Sequence, residues 1–172
     1  MDQIVADTSA LVSMGTVVNH EDNPLDILSE NGDLVVPERV IEELEATADF
    51  DDVAGQAATA VLQRQSAYTV HATTVDASFP LDEGENAAVS LATDIGASQL
   101  LCDEFNQLSL VHASLGDTRL VTTPTLLISL VRAGTLEGKT GQRLLQTIAE
   151  RRSWEGNAYV ERATAVLEGE ER

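Results

Sequence analysis

A chain of 172 residues is long enough to bury one sizeable hydrophobic core, and it is too short to suggest two independent domains of ordinary size. The formal net charge is −19, with 29 acidic residues against ten basic ones, whereas nucleic-acid-binding domains are usually basic. The longest apolar runs, such as residues 126–128, fall far short of the roughly 20 residues that span a bilayer. The N-terminus has no basic segment followed by an apolar stretch, so we expect a cytoplasmic protein with no membrane partner.

Short β-like runs alternate with longer helical patterns along the chain. Five runs are predicted to be strands, at residues 4–6, 34–36, 68–71, 99–102 and 120–122. Six segments are predicted to be helices, at residues 38–46, 53–65, 84–95, 124–133, 141–152 and 157–167. Pro37 suits the first turn of the first of these helices, and Gly96 suits a left-handed cap after the third. This alternation favours a parallel sheet with right-handed crossovers, in which functional residues gather at the carboxyl ends of the strands.

Four carboxylates are notable because of where they lie relative to these elements. Asp7 follows the first strand, and Asp103 follows the fourth. Glu43 lies within the helix after the second strand, and Glu85 opens the helix before the fourth. Each position also has an ordinary structural interpretation, since Asp7 and Asp103 suit helix N-caps. Asp82 with Glu85 suits a capping pair, and Glu43 suits a solvated helix face.

In this order and context the carboxylates resemble those of the PIN-domain family. The matching segments are residues 5–11 (VADTSAL), 36–44 (VPERVIEEL), 84–88 (GENAA) and 100–103 (LLCD), within a resemblance that covers roughly residues 4–132. The resemblance implies a Rossmann-like three-layer α/β/α sandwich around a five-stranded parallel sheet. It also implies a PIN-like nuclease domain over residues 1–137, with a C-terminal helical extension, residues 138–172, packed on the same domain.

The function implied by the resemblance is hydrolysis of RNA by a nuclease that depends on Mg²⁺ or Mn²⁺. Carried over by position, the catalytic and metal-binding acids would be Asp7, Glu43, Glu85 and Asp103. Thr8 or Ser9 would orient Asp7. Carboxylate oxygens suit Mg²⁺, and a bound cation would generate the attacking hydroxide and neutralise charge on the phosphate.

The chain departs from the family pattern after the fourth strand. Family members often carry a second acid and a downstream basic residue there, whereas this chain continues Glu104-Phe105-Asn106-Gln107-Leu108. Glu104 would substitute for the second acid, but the basic residue has no counterpart. Two functions therefore stay open. One is an RNA-cleaving enzyme, including the toxin of a toxin–antitoxin pair with an antitoxin partner, and the other is an inactive PIN-like scaffold that binds RNA or a protein partner.

A permissive P-loop pattern at residues 133–140 is the strongest competing motif, and it contains the single lysine of the chain. A nucleotide-binding protein that uses Gly138, Lys139 and Thr140 is therefore a third alternative. A working P-loop joins a strand to a helix, whereas a helical pattern precedes this one. Because Gly134 also fits a helix C-cap, the sequence favours a helix–turn–helix at this point.

Two further features lie in the predicted C-terminal helices. Arg151, Arg152 and Trp154 form a basic and aromatic cluster, which suits either a nucleic-acid contact or a favourable helix end sealed by the tryptophan. An apolar stripe at helical spacing is expected to pack on the domain itself or in a homodimer. The stripe is formed by Leu144, Leu145 and Ile148.

Cysteine and histidine chemistry is limited. The single Cys102 cannot form an intrachain disulfide, and we expect it to be a small buried hydrophobe. His20, His71 and His112 lack the spacing of zinc ligands.

The acidic, lysine-poor and aromatic-poor composition resembles that of proteins from extreme halophiles. Near 1 M salt the screening length falls to about 3 Å, which weakens long-range steering but leaves metal coordination effective.

Overall fold

The computed structural model describes residues 2–75, 78 and 80–170, and within these ranges the chain forms five strands and nine α-helices. The strands are β1 Gln3–Ala6, β2 Asp33–Pro37, β3 Thr69–His71, β4 Gln99–Leu101 and β5 Arg119–Val121. The helices are α1 Thr8–Gly15, α2 Pro24–Asn31, α3 Glu38–Ala48, α4 Val53–Leu62, α5 Glu83–Ile95, α6 Leu108–Ser114, α7 Thr123–Arg132, α8 Gly138–Arg151 and α9 Ala158–Glu170. Over the same ranges, none of the helices is long and apolar enough to cross a membrane.

The five strands form one parallel sheet in the order β3–β2–β1–β4–β5. In the centre of this sheet Val5 of β1 lies opposite Val35 of β2 on one side and Leu100 of β4 on the other. The chain builds outward from β1 to β2 and β3, and then crosses so that β4 lies on the opposite side of β1. This reversal creates a crevice beyond the carboxyl ends of β1 and β4, which is where open α/β sheets bind their ligands.

Successive residues of each strand supply two separate cores because their side chains alternate between the faces of the sheet. Ile4 and Ala6 pack in a core with α1 to α4 and α7, whereas Val5 and Leu100 pack in a core with α5 and α6. The result is a three-layer α/β/α sandwich. The predicted fold class, with its five-stranded parallel sheet, is confirmed.

A third core joins the C-terminal helices to the sandwich. The apolar stripe of Leu144, Leu145 and Ile148 is fully buried there together with Leu127 of α7. The stripe therefore packs within the chain, which is the first of the two expected arrangements, while a homodimer stays a prediction. Trp154 is buried in the same core, so it closes the turn between α8 and α9 as the helix-end interpretation expects.

The predicted elements occur close to their expected places, with boundaries that shift by a few residues. The predicted helix over residues 53–65 ends at Leu62, and a short 3₁₀ turn, Gln65–Ala67, follows it. Helix α2 is not apparent from the sequence because residues 21–24 have the composition of a turn. In the structure Asn23 caps that helix and Pro24 occupies its first turn.

Residues 133–140 do not form a P-loop, because residues 133–137 connect helix α7 to helix α8 and not a strand to a helix. Lys139 lies in the first turn of α8. Gly134 has a φ of 76° just beyond α7, as the C-cap interpretation expects. Gly96 ends α5 in the same way, with a φ of 63°. The helix–turn–helix prediction is therefore confirmed.

Candidate functional site

Asp7 is the N-cap of α1, and its side chain is buried at the carboxyl end of β1. Its Oδ1 accepts hydrogen bonds from the Ala10 N–H at 3.0 Å and from the Ser9 hydroxyl at 2.7 Å. Burial is the main reason that the pKa of Asp7 rises from 3.8 to about 7, and the charge of Asp103 adds a smaller upward effect. The N-cap interpretation is confirmed. Caps are ordinarily solvated, however, so burial of this kind calls for a further role.

Asp103 follows β4, the neighbour of β1, and it is buried as well. The Ser9 hydroxyl that donates to Asp7 also accepts a hydrogen bond from the backbone N–H of Asp103 at 2.9 Å. The Asp103 carboxylate accepts from the N–H of Thr123 at 2.7 Å and from its hydroxyl at 2.5 Å. Asp103 is not a cap of the next helix, because α6 begins only at Leu108. Burial is again the largest cause of its raised pKa.

Glu85 approaches the same crevice from the first turn of α5. The N-cap of this helix is Asp82, whose carboxylate accepts the Glu85 N–H at 2.8 Å, as the capping interpretation expects. Glu85 is nevertheless buried, and its pKa rises to about 7. Burial is the main cause, followed by the charges of Asp82, Glu104 and Asp7. The exposed Glu104 therefore faces the same group of acids.

Glu43 lies on α3, where it contacts Thr8 and Gly84, the chain neighbours of Asp7 and Glu85. It is half-buried and accepts a hydrogen bond from the Thr8 hydroxyl at 2.6 Å, so the interpretation as a freely solvated side chain is wrong. Its carboxylate lies against Gly84, where an added Cβ would overlap it. Burial is the main cause of the raised pKa of Glu43, and the Thr8 hydrogen bond lowers it. Thr8 thus holds Glu43, whereas Ser9 orients Asp7.

The chemistry of these side chains fits a hard divalent cation. Carboxylate oxygens are the ligands that Mg²⁺ and Mn²⁺ prefer, and a cation would offset both the burial and the repulsion of the acids. Among the residues that the structure describes, no three His, Cys, Asp or Glu side chains are grouped tightly enough to enclose a metal ion. Mg²⁺ does not require such a cage, because it keeps several waters and binds through one or two carboxylates. The assignment of the four acids as ligands stays a prediction.

The parallel sandwich defines an α/β domain with buried carboxylates at the carboxyl ends of adjacent strands. A protein-family model described as PIN domain matches residues 3–168, a range that includes α8 and most of α9. The chain therefore belongs to the PIN domain family, and the resemblance drawn from the order of its carboxylates is confirmed. PIN domain proteins are generally nucleases and typically bind divalent metals. No curated protein matches the chain.

Three side chains around Asp103 were not predicted as part of the site. Thr123 donates hydrogen bonds to both carboxylate oxygens of Asp103, and a hydrogen bond from Ser13 lowers the pKa of Asp103. The positive charge of Arg152 also lowers the pKa of Asp103. Thr123 follows the last strand, so its position at a strand end was an available signal. Ser13 and Arg152 had no such signal, because they reach Asp103 from helices or turns distant in sequence.

Cys102 and Arg151, which the sequence analysis also considered, have structural roles. Cys102 is buried, and burial raises the pKa of its thiol, so it is the small buried residue that was expected and not a nucleophile. Arg151 donates a hydrogen bond through Nη1 to the carbonyl of Thr16, the C-cap of α1. Arg151 therefore joins α8 to the sandwich, whereas its neighbour Arg152 lines a cavity together with Asp103.

Gly84→Ala is expected to displace the Glu43 carboxylate without unfolding the protein. The new methyl group would overlap the end of a flexible side chain, and alanine stabilises a helix by roughly 0.5–1 kcal/mol relative to glycine. We expect Mn²⁺ binding, measured by electron paramagnetic resonance, to weaken about tenfold, as when partners around a metal site are disturbed. Gly169→Ala is the matched control, since a Cβ there meets open space in α9. Equal Mn²⁺ affinity in both variants would contradict a role for Glu43.

Proposed function

We propose that the protein is an endoribonuclease that hydrolyses RNA phosphodiester bonds with the help of Mg²⁺ or Mn²⁺. The observation that carries this proposal is the burial of Asp7 and Asp103 just beyond the carboxyl ends of adjacent strands at the switch point of the sheet, with the charge of Asp7 acting on Glu85. None of the ion pairs among the described residues includes these three acids. Buried carboxylates are costly unless they bind something positive, and a divalent cation at a ligand-binding crevice meets that need.

The side chains around the crevice would hold the acids in a fixed geometry before the cation binds. Ser9 fixes the Asp7 carboxylate and the Asp103 backbone with one hydroxyl, and Thr123 fixes both oxygens of Asp103. Asp7 and Asp103 would hold the cation on the buried side, with Glu85 and Glu43 facing it from α5 and α3. The bound cation would supply an activated water and neutralise the charge that develops on the phosphate. Such preorganisation reduces the cost of arranging charged groups during the reaction.

The net charge of −19 places a condition on this function, because RNA is a polyanion. At high ionic strength the repulsion between the acidic surface and RNA is screened over a few ångströms, whereas contacts through a bound cation are retained. We therefore propose that the enzyme acts in a salt-rich cytoplasm. The toxin role and the antitoxin partner remain predictions.

The proposed activity is tested by incubating end-labelled single-stranded RNA with the protein in KCl near 1 M. Internal cleavage is expected with Mn²⁺ or Mg²⁺ and is expected to stop when EDTA is added. A single-stranded DNA of the same sequence serves as the comparison substrate. RNA binding without cleavage under every metal condition would overturn the enzymatic proposal and favour the alternative, a PIN-like scaffold that binds RNA or a protein partner.

A further inference from the structure

The turn between α8 and α9 and the segment that follows Asp103 line a cavity that is open to solvent. The cavity has a volume of about 340 Å³ and is lined by residues 103–106 on one side and residues 152–157 on the other. Because Asp103 belongs to both the lining and the acidic group, the cavity continues directly from the candidate metal site. Its other wall comes from the C-terminal helices, which otherwise have no part in the proposed reaction.

Arg152 is the cationic side chain of this cavity. It lines the cavity together with Asp103, and its positive charge lowers the pKa of that carboxyl group. Its Nε is buried and has no hydrogen-bond partner among the described residues. Arg39 also lies near the acids and has a buried Nε without a partner, but its Nη atoms pair with Glu42 at 2.8 Å and Glu83 at 2.6 Å. Among the described residues Arg152 forms no ion pair, so its guanidinium keeps more donor capacity for a ligand.

The turn that carries Arg152 is held in place by aromatic contacts. Phe105, two residues after Asp103, lies edge-on to Trp154 with ring centroids 5.0 Å apart, and it stacks on Tyr159 at 5.3 Å. Ser153 ends α8 with a left-handed φ of 57°, and the next N–H, that of Trp154, returns to a carbonyl of α8 at 2.9 Å. Arg152 is thus presented from a packed turn, which lowers the entropic cost of binding through it.

We infer that Arg152 and this cavity bind a backbone phosphate of the nucleic-acid strand, next to the phosphate that is cleaved at the acids. A guanidinium offers a planar set of donors that matches phosphate oxygens, and a strand laid across an acidic crevice needs a positive contact beside it. The inference rests on the proposed function, since it assigns the substrate path of the same site. It makes Arg152 a substrate-binding residue supplied by the C-terminal helices.

The test measures RNA binding apart from cleavage, with Ca²⁺ in place of Mn²⁺ and fluorescence anisotropy over a series of KCl concentrations. Arg152→Gln is expected to weaken binding about tenfold and to reduce the slope of log Kd against log salt by about 0.7, the effect of one lost phosphate contact on a single strand. Arg143→Gln removes the same charge from an exposed position of α8 and is expected to leave both quantities unchanged. Arg152→Lys keeps the charge and is expected to restore part of the affinity.

The outcomes separate this inference from the proposed function. An Arg152→Gln variant that binds RNA as Arg143→Gln does, with the same salt slope, would overturn the inference even if the wild type cleaves RNA. The inference would also be overturned if Arg152→Gln and Arg143→Gln weakened RNA binding equally, because the effect would then come from the net charge of the protein and not from Arg152. If Arg152→Gln unfolds, Arg152→Lys is compared with Arg152→Met, a folded variant without the charge. The inference is overturned if Arg152→Lys then binds RNA no better than Arg152→Met. A wild type that never cleaves, but whose RNA affinity depends on Arg152, would overturn only the nuclease activity.

Discussion

Asp7→Asn is expected to abolish metal-dependent RNA cleavage while leaving the protein folded. Asparagine keeps a side-chain oxygen that can accept from the Ala10 N–H and the Ser9 hydroxyl, so the cap of α1 is retained. It loses the negative charge that a divalent cation needs. Metal-assisted stabilisation of the reaction is worth several kcal/mol, so a loss of at least about a hundredfold in cleavage rate is expected in the end-labelled RNA assay.

The Asp7→Ala variant provides the control that separates the chemical role of Asp7 from its structural one. Alanine removes the charge and the cap together, so it should also cost about 1 kcal/mol of stability. Asp7→Asn should lose activity to the same extent but keep or raise the melting temperature of the metal-free protein. An Asp7→Asn variant that still cleaves RNA at a rate near that of the wild type would remove Asp7 from the proposed reaction.

The second large effect expected is a loss of stability of the metal-free protein as the pH rises from about 4 to about 7. The folded protein holds a proton on Asp7 up to a pKa of about 7, whereas the unfolded chain releases it near 3.8. Between these values the folded state binds more protons than the unfolded state, so raising the pH favours unfolding. A pKa difference of this size corresponds to an upper limit of roughly 4 kcal/mol. Glu85, with a pKa also raised to about 7, acts in the same direction.

Thermal unfolding over this pH range measures the effect, because 1 kcal/mol corresponds to roughly 2–4 °C in a chain of this size. Mn²⁺ at pH 8 should recover much of the lost melting temperature, since it binds the ionised acids of the folded state. Asp7→Asn should flatten the pH dependence. Asp51→Asn, which removes one charge from an exposed loop, should keep the slope of the wild type. Parallel curves for the two variants would show that the buried carboxylate does not control the slope.

The fold and the acidic residues could be predicted because their signals are local. Strands β1 and β4 contain short apolar runs, and Asp7 and Asp103 come just after them. The rule that parallel strands collect ligands at their carboxyl ends then brings such residues to one crevice. The cap at Asp82 and the left-handed Gly96 also follow from neighbouring residues alone.

The rest of the site depends on packing that the sequence does not display. The binding of Asp103 by Thr123 requires α7 to start beside β4, and the approach of Arg152 requires α8 and α9 to dock on the sandwich. The main cause of the raised pKa values is also tertiary. Burial has a larger effect on the pKa values of Asp7 and Glu85 than the charges of the neighbouring acids. Burial of a polar residue at a strand end cannot be predicted from local pattern.

The segment after Asp103, where the chain departs from the family pattern, contacts the C-terminal helices. After Asp103 the sequence continues with Glu104 and Phe105, and the downstream basic residue of the family pattern has no counterpart. Phe105 instead contacts Trp154 and Tyr159, and this contact brings the Arg152 turn to the crevice. The C-terminal helices therefore contribute to the surroundings of the acids as well as to the third core.

Anomalous diffraction from a crystal soaked in MnCl₂ tests most directly whether the acidic crevice is a divalent-metal site. A Mn²⁺ peak is expected at direct ligand distance from Asp7 or Asp103, on the side that faces Glu85, and it should be absent from crystals of Asp7→Asn. A peak confined to an exposed acidic loop, or no peak at the crevice under conditions where the wild type cleaves RNA with Mn²⁺, would contradict the assignment of these carboxylates as the metal site.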